Sequence, residues 1–282
     1  MFEHWTKMGD VELAMASDGV FKMDGGALFG LTPKTMWGKV MPPDEENRLP
    51  LAMNCLLIRS DGKTILVETG LGSKLTPHAA ESYGREPGPG LVEDMARHGV
   101  SPEDIDFVVN SHLHTDHCGG DTRLDGDRAV PTFPRARYVL QAKEWQAATH
   151  PNERTRSTYL SENVAPLDER GQLMLIEGQT PLTRHVTCMP TPGHSPGHQS
   201  VFIRTGAGLV VFLGDIGQFP IHMERVAWIA AFDTEPLVTL EVKKSLLRTA
   251  VEEEALLILT HWRYPGTGRV KVVEGRNRWS DE

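Results

Sequence analysis

The stretch SHLHTDHCGG, residues 111–120, places three histidines and an aspartate within six consecutive positions. His112 and His114 are two residues apart, so in an extended segment their side chains project to the same side. Asp116 and His117 follow, and the glycine pair that ends the stretch lets the chain turn. This pattern predicts a metal site in which the first pair chelates one ion and the second pair faces a neighbouring ion.

The flanking sequence puts this stretch at the end of a strand. Asp61-Gly62 separates two apolar runs and predicts a hairpin of residues 51–60 and 63–69. Residues 91–100 predict a helix closed by a glycine, and DFVVN, residues 106–110, predicts a buried strand. The histidine-rich stretch therefore follows the carboxyl end of a strand, where α/β folds place their chemistry.

Further strands and helices alternate along the rest of the chain, which predicts a sheet-based sandwich with helices outside. Two long segments, 19–50 and 217–235, show no clear pattern. Loops of that length usually shape a binding site, so we expect both to border a pocket.

Three more potential ligands stand at the ends of predicted strands. His194 lies in the turn TPGHSPGH, Asp215 ends LVVFLGD, and His261 lies at the end of LLILTHW. A carboxylate at the end of an apolar strand needs a charged partner, because an unpaired buried charge is costly.

Taken in order, H-x-H-x-D-H, the TPGH turn, the LGD strand end and the last histidine resemble the metallo-β-lactamase superfamily of binuclear metallohydrolases. The resemblance implies an α/β fold, the four-layer αββα sandwich, as one domain over residues 1–282. It implies one metal held by His112, His114 and His194, a second held by Asp116, His117 and His261, and Asp215 bridging the two.

The implied cofactors are two divalent ions, Zn²⁺ in the first place, with Mn²⁺, Fe²⁺ or Co²⁺ as alternatives that imidazole and carboxylate also suit. Two such ions can share a water and lower its pKa towards 7. The resulting bridging hydroxide would attack a carbonyl carbon or a phosphorus. Asp116, beside that water, is the predicted catalytic proton shuttle.

Two residues are predicted to support the ligands from behind: Glu68 and His198. Glu68 departs from the aspartate that the superfamily usually has in this turn. We expect Glu68→Asp to leave the metal content unchanged. Cys118 is expected to be buried packing, because the nitrogen and oxygen ligands leave it no place.

The ligand set narrows the function to a lactonase, such as an acyl-homoserine lactonase. Asp215 disfavours true β-lactamases, and the short chain after His261 disfavours glyoxalase II. Nuclease members bring an extra domain, and redox members replace one histidine with Glu. Where acyl-homoserine lactonases place a tyrosine, this chain has Gln218. An aryl esterase or a phosphotriesterase resembling methyl parathion hydrolase stays open, as does a non-catalytic metal-binding protein.

The segment 19–50 is expected to cover the active site, and Trp37→Ala is expected to raise KM. The predicted substrate-binding residues are Phe29, Trp37, Gln218, Phe219, His222 and Trp262, and further aromatic candidates for the pocket wall are Trp228, Phe232 and Tyr264.

Bulk properties limit the partners and the compartment. The formal net charge of −9 disfavours nucleic acid, because an acidic surface repels phosphate. Three scattered cysteines fit a reducing compartment, and neither a signal peptide nor an apolar run of membrane-spanning length is evident. We expect a soluble, cytoplasmic protein with a small-molecule lactone or ester substrate; the resemblance adds a homodimer.

Overall fold

The structure, a computed structural model, describes residues 2–282, which form two seven-stranded sheets and a two-stranded hairpin. In chain order the strands are Thr6–Met8 (β1), Val11–Asp24 (β2), Arg48–Ser60 (β3), Lys63–Val67 (β4), Phe107–Val109 (β5), Thr122–Asp125 (β6), Arg128–Pro131 (β7), Arg137–Gln141 (β8), Leu173–Ile176 (β9), Thr180–Pro181 (β10), Val186–Pro190 (β11), Gln199–Thr205 (β12), Gly208–Phe212 (β13), Leu256–Ile258 (β14), Thr267–Val273 (β15) and Arg276–Asp281 (β16). The first sheet has the order β1-β2-β3-β4-β5-β8-β9, and the second runs from β10 to β16 in sequence order.

The helices connect or cover these strands. They are Gly25–Phe29 (α1), Lys34–Trp37 (α2), Pro77–Ser82 (α3), Leu91–Arg97 (α4), Thr115–Cys118 (α5), Ala142–Thr149 (α6), Ser161–Glu169 (α7), Pro220–Glu224 (α8) and Pro236–Glu252 (α9), with short 3₁₀ turns at Pro102–Asp104, Gly119–Asp121 and Gly214–Ile216. None of the described helices is both long enough and apolar enough to cross a membrane.

The apolar run of β13 shows how the layers form. Successive side chains of a strand point to opposite faces. Val210 and Phe212 therefore join the cluster between the two sheets, whereas Leu209 and Val211 pack outward under α9 with Leu246. A strand covered on both faces has no polar alternation, which is why this run is continuously apolar.

The other outer layer lies on the first sheet. Met95 of α4 and Leu167 of α7 pack against outward side chains of that sheet such as Leu57 and Tyr138. The order helices, sheet, sheet, helix is the αββα sandwich, so the predicted fold class is confirmed.

The predicted hairpin is confirmed by the pairing of Ser60 with Lys63 across the turn. The segment 19–50, however, is not a long loop, and in this respect the prediction was wrong. It contains the end of β2, the helices α1 and α2, and the start of β3. The glycines at 25 and 26 obscured its short helices, of which α1 begins with the Asp24 carboxylate accepting a hydrogen bond from Ala27 N at 3.1 Å.

Candidate metal centre

The predicted ligands converge at one edge of the sandwich. Short connections after β5, β11, β13 and β14 bring them there, and the four-residue helix α5 carries Asp116 and His117. Their ligand atoms form three groups, each within 4.8 Å: His112, His114 and His194; His112, His117 and Asp215; Asp116, His117 and His261.

Asp215 lies between two sets of imidazoles. Its Oδ2 is 3.4 Å from Nε2 of His194, and its Oδ1 is 3.1 Å from Nε2 of His261 and 3.4 Å from Nε2 of His117. One carboxylate therefore presents each oxygen to a different set. The buried Oδ1 and the buried Nε2 of His112 have no hydrogen-bond partner among the described residues.

The outer nitrogens of three histidines fix where their protons lie. Nδ1 of His261 donates to the carbonyl of Ala52 at 2.9 Å, because a carbonyl can only accept. Nδ1 of His194 donates to Asp233 at 2.8 Å, and Nδ1 of His117 faces Glu68 at 3.2 Å. The Nε2 atom of each of these histidines consequently faces inward.

These inward nitrogens crowd each other. Nε2 of His194 is 3.2 Å from Nδ1 of His114, and Nε2 of His261 is 3.3 Å from Nε2 of His117. Facing nitrogens at this separation require a shared proton or a bound cation. Imidazoles combined with carboxylates fit zinc and similar divalent ions, so the residues present fit a metal site.

Burial and charge act on the protonation of these groups in opposite directions. Burial, aided by the neighbouring imidazoles, lowers the pKa of His112 and of His114 well below the ordinary value, so both are neutral. Burial opposes ionisation of Asp215, but the adjacent His261 and His117 hold the pKa of its carboxyl well below its usual range. Burial likewise opposes charge on His117, yet nearby carboxylates, led by Asp215, raise its pKa.

Glu68 and His198 lie directly behind the ligands. Glu68 Oε1 accepts a hydrogen bond from Ser111 N at 2.9 Å while Oε2 faces His117. Its backbone has a φ of +68°, a left-handed conformation that is strained for a side chain of this kind. His198 accepts a hydrogen bond at Nε2 from the backbone N of Asp215 at 2.9 Å.

Two carboxylates that hydrogen-bond to the ligands or to their loops were not predicted from the sequence. Asp233 accepts from His194, and Glu144 joins the two ligand loops: Oε1 accepts from Leu113 N at 3.0 Å and Oε2 from Ser195 Oγ at 2.6 Å. Glu144 stands in the first turn of α6 like any solvent-exposed acid, although it is fully buried. The nearby Gly197 packs so closely that an added Cβ would lie 2.1 Å from the Glu144 backbone nitrogen.

A cavity of about 280 Å³ opens onto the ligands. A second cavity, of about 240 Å³, shares His114, Thr158 and Phe232 with it. The first cavity is lined by Met23, Leu51, Tyr83, His114, Thr115, Asp116, Ser157, Thr158, His194, Asp215, Gln218, Phe232 and His261. Of the predicted pocket residues, only Gln218 and Phe232 are among them.

The other predicted pocket residues lie elsewhere. Phe29 and Trp37 are buried and stacked at 5.0 Å between ring centroids, and Phe219 packs on Phe29 in the same cluster. The buried His222 ring meets Phe29 edge to face at 5.2 Å. The partly buried Trp228 and Trp262 pack against that cluster. These aromatic residues form a core beside the site. Their spacing in the sequence does not distinguish a core residue from a pocket residue, so the sequence could not predict this.

Tyr264 also lies outside the cavity. Its hydroxyl donates to the carbonyl of Met15 at 2.9 Å, and its side chain borders a separate groove with Ser17 and Gly19. Cys118 is buried, as expected, with its Sγ 3.3 Å from the carbonyl of Leu113.

The sandwich fold and the histidine-aspartate centre define a metallohydrolase of the metallo-β-lactamase type. The superfamily model matches residues 48–261, so the chain belongs to the metallo-β-lactamase superfamily. The prediction of a metal-dependent hydrolase is thereby confirmed.

The relatives include lactonases and a probable metal-dependent hydrolase. An N-acyl homoserine lactonase of Bacillus cereus is 29% identical over 226 residues, which are 76% of this chain and 83% of that lactonase. The structure of a probable metal-dependent hydrolase from Staphylococcus aureus is 26% identical with a TM-score of 0.89, covering 98% of this chain and 99% of that one. AidC, a dizinc quorum-quenching lactonase, shares the fold at 23% identity, with a TM-score of 0.81 over 99% of this chain and 96% of AidC.

Proposed function

We propose that this protein is a binuclear metal-dependent lactonase that opens acyl-homoserine lactones or related lactone rings. The observation that carries the proposal is the position of Asp215, with one carboxylate oxygen 3.4 Å from His194 and the other 3.1 Å from His261. Similarity to N-acyl homoserine lactonases supports the substrate class.

His112, His114 and His194 would hold one ion, Asp116, His117 and His261 the other, and Asp215 both. Two bound divalent ions would supply Lewis acidity, which lowers the pKa of water and polarises a substrate oxygen. Zn²⁺ is the first expectation, since His and Asp nitrogens and oxygens suit it.

The chain itself positions the substrate and handles the proton. Asp116 is the one predicted ligand that is not buried, and it borders the cavity with an Oδ2 that is 3.5 Å from Nε2 of His261. A carboxylate at the edge of the cavity can take a proton from attacking water and pass it to the departing ring oxygen. Met23, Leu51 and Phe232 give the cavity an apolar wall that suits an acyl chain.

Metal stoichiometry and turnover together test the proposal. The purified protein, stripped and reloaded with zinc, should bind two equivalents and open a medium-chain acyl-homoserine lactone with a kcat/KM above about 10⁴ M⁻¹s⁻¹. Asp215→Ala should lose at least one equivalent and nearly all turnover, whereas His150→Ala, at an exposed position, should keep both.

Other results of the same experiment would support one of the alternative functions. Two bound ions with turnover only of an aryl ester or a phosphate triester would replace the lactonase with the esterase or phosphotriesterase. Two bound ions with no turnover of any of these would leave a metal-binding protein and overturn the proposal.

A further inference from the structure

Tyr83 brings a phenol to the cavity above the candidate metal centre. It follows α3, and its side chain lines the cavity together with Asp116 and His261. Thr115 and Asp116 line the same cavity as Tyr83. Nothing in the sequence pattern marks this residue, because it lies almost thirty positions before the ligand stretch.

Tyr83 is held in place by packing and by its backbone. Its carbonyl accepts a hydrogen bond from Lys22 N at 2.9 Å. Its ring meets Phe21 edge to face at 6.3 Å, and Phe21 in turn meets the His261 ring at 5.9 Å. The phenol is therefore fixed relative to one of the ligands.

Three other neutral side chains of the cavity donate hydrogen bonds within the protein. The Thr115 hydroxyl donates to Thr158 O at 3.1 Å, and the Thr158 hydroxyl donates to Thr155 O at 2.7 Å. The amide of Gln218, which is only 3% exposed, donates to Asp215 Oδ2 at 2.7 Å. Ser157 is exposed to solvent at the rim.

Tyr83 has the properties of a donor to substrate. Its side chain is partly buried in the wall of the cavity, beside the space that a bound molecule would occupy. A tyrosine phenol has an ordinary pKa of about 10, so at neutral pH it carries the proton that it would donate. The Thr115 hydroxyl beside it already donates to Thr158 O, so the phenol is the group left to donate to a substrate oxygen.

We propose that the Tyr83 phenol donates a hydrogen bond to an oxygen of the scissile ester group in the bound lactone. The proposal rests on the lactonase function proposed above. A donor aimed at an oxygen that gains negative charge stabilises the transition state more than the ground state, so its loss should lower kcat more than it changes KM.

The test compares zinc-loaded wild-type protein with Tyr83→Phe on an acyl-homoserine lactone. We expect kcat of Tyr83→Phe to fall about 100- to 1000-fold, with two zinc ions retained and the melting temperature unchanged. The matched control is Tyr264→Phe, which removes the hydroxyl bound to Met15 outside the cavity and should keep the wild-type kcat.

An aryl ester with the same acyl chain identifies the oxygen. Loss of kcat on both substrates would place the phenol on the carbonyl oxygen, and loss on the lactone alone would place it on the leaving oxygen. An active wild type with an equally active Tyr83→Phe would overturn the role of Tyr83 only. A wild type inactive on both substrates would overturn the lactonase function together with it.

Discussion

His194 and Asp233 are 39 positions apart, and a 2.8 Å hydrogen bond joins Nδ1 of the histidine to the aspartate carboxylate. Asp233 also accepts from the Thr239 hydroxyl at 2.5 Å. The carboxylate thereby fixes the tautomer that turns Nε2 of His194 toward the cavity. A carboxylate behind a metal-binding histidine also makes that histidine more basic.

Asp233→Ala should therefore weaken zinc binding about 10- to 100-fold. Competition with a chromogenic chelator measures the zinc affinity directly. Asp125→Ala, an exposed substitution, provides the control. Zinc affinities equal to the wild type in both variants would refute the role of Asp233.

Glu68 makes two contacts that a shorter aspartate side chain could not both make, so Glu68→Asp should weaken metal binding. One oxygen binds Ser111 N and the other faces His117, so the side chain spans two loops. Aspartate at the same backbone position is one methylene shorter and cannot keep both contacts. We now expect Glu68→Asp to weaken the metal set of Asp116, His117 and His261 by about tenfold, with the other set less affected.

Zinc content after dialysis against graded chelator concentrations measures this difference. Glu68→Gln keeps the length of the side chain and removes its charge, so it separates the effect of length from the effect of charge. If Glu68→Asp retained as much zinc as the wild type at every chelator concentration, the substitution would leave the metal content unchanged, as the sequence alone predicts.

The ligand cluster could be predicted from sequence because its signals are local. His112 and His114 share one strand end, and Asp215 and His261 each end an apolar run. Taken alone, Asp215 and His261 could each be an ordinary structural residue, and the complete ordered set together with the resemblance marks them as ligands. The sandwich followed from the same strands, whose apolar runs give their lengths and their burial on both faces.

The cavity wall could not be predicted because its signals are tertiary. Trp37 and Phe232 are both aromatic residues in segments without a clear sequence pattern. Trp37 is nevertheless buried, whereas Phe232 borders the cavity. Glu144 and Asp233 are ordinary acids until the fold encloses them. Only the packing of distant segments decides which aromatic group lines a pocket and which acid supports a ligand.

Trp37→Ala should consequently act on stability. The ring is 1% exposed, stacked on Phe29, and so close to Gly25 that a Cβ there would lie 2.3 Å away. Truncating a buried tryptophan leaves a large cavity and costs about 3–5 kcal/mol. Urea unfolding measures the loss, and Met36→Ala, with a half-exposed side chain in the same helix, should cost far less. A raised KM at unchanged stability would return Trp37 to the pocket wall.

Lys243 is a buried lysine, and its effect on the free energy of unfolding should depend on pH. Its ammonium is enclosed behind the site, donates to Trp228 O at 2.7 Å and is 1% exposed. Burial, opposed in part by Asp233, lowers the pKa of Lys243 to about 7. The unfolded chain keeps the ordinary lysine pKa of about 10.4.

Between about pH 7 and pH 10 the unfolded state therefore binds one more proton at this residue than the folded state, so stability rises with pH there. Below pH 7 both states are protonated, and the full cost of the buried charge is present. Relative to Lys243→Met, the wild type should gain on the order of 2 kcal/mol between pH 6.5 and pH 9. The difference in unfolding free energy between the two proteins isolates Lys243 from other titrating groups. A difference that does not change over this range would show that Lys243 has the same pKa in the folded and unfolded chains.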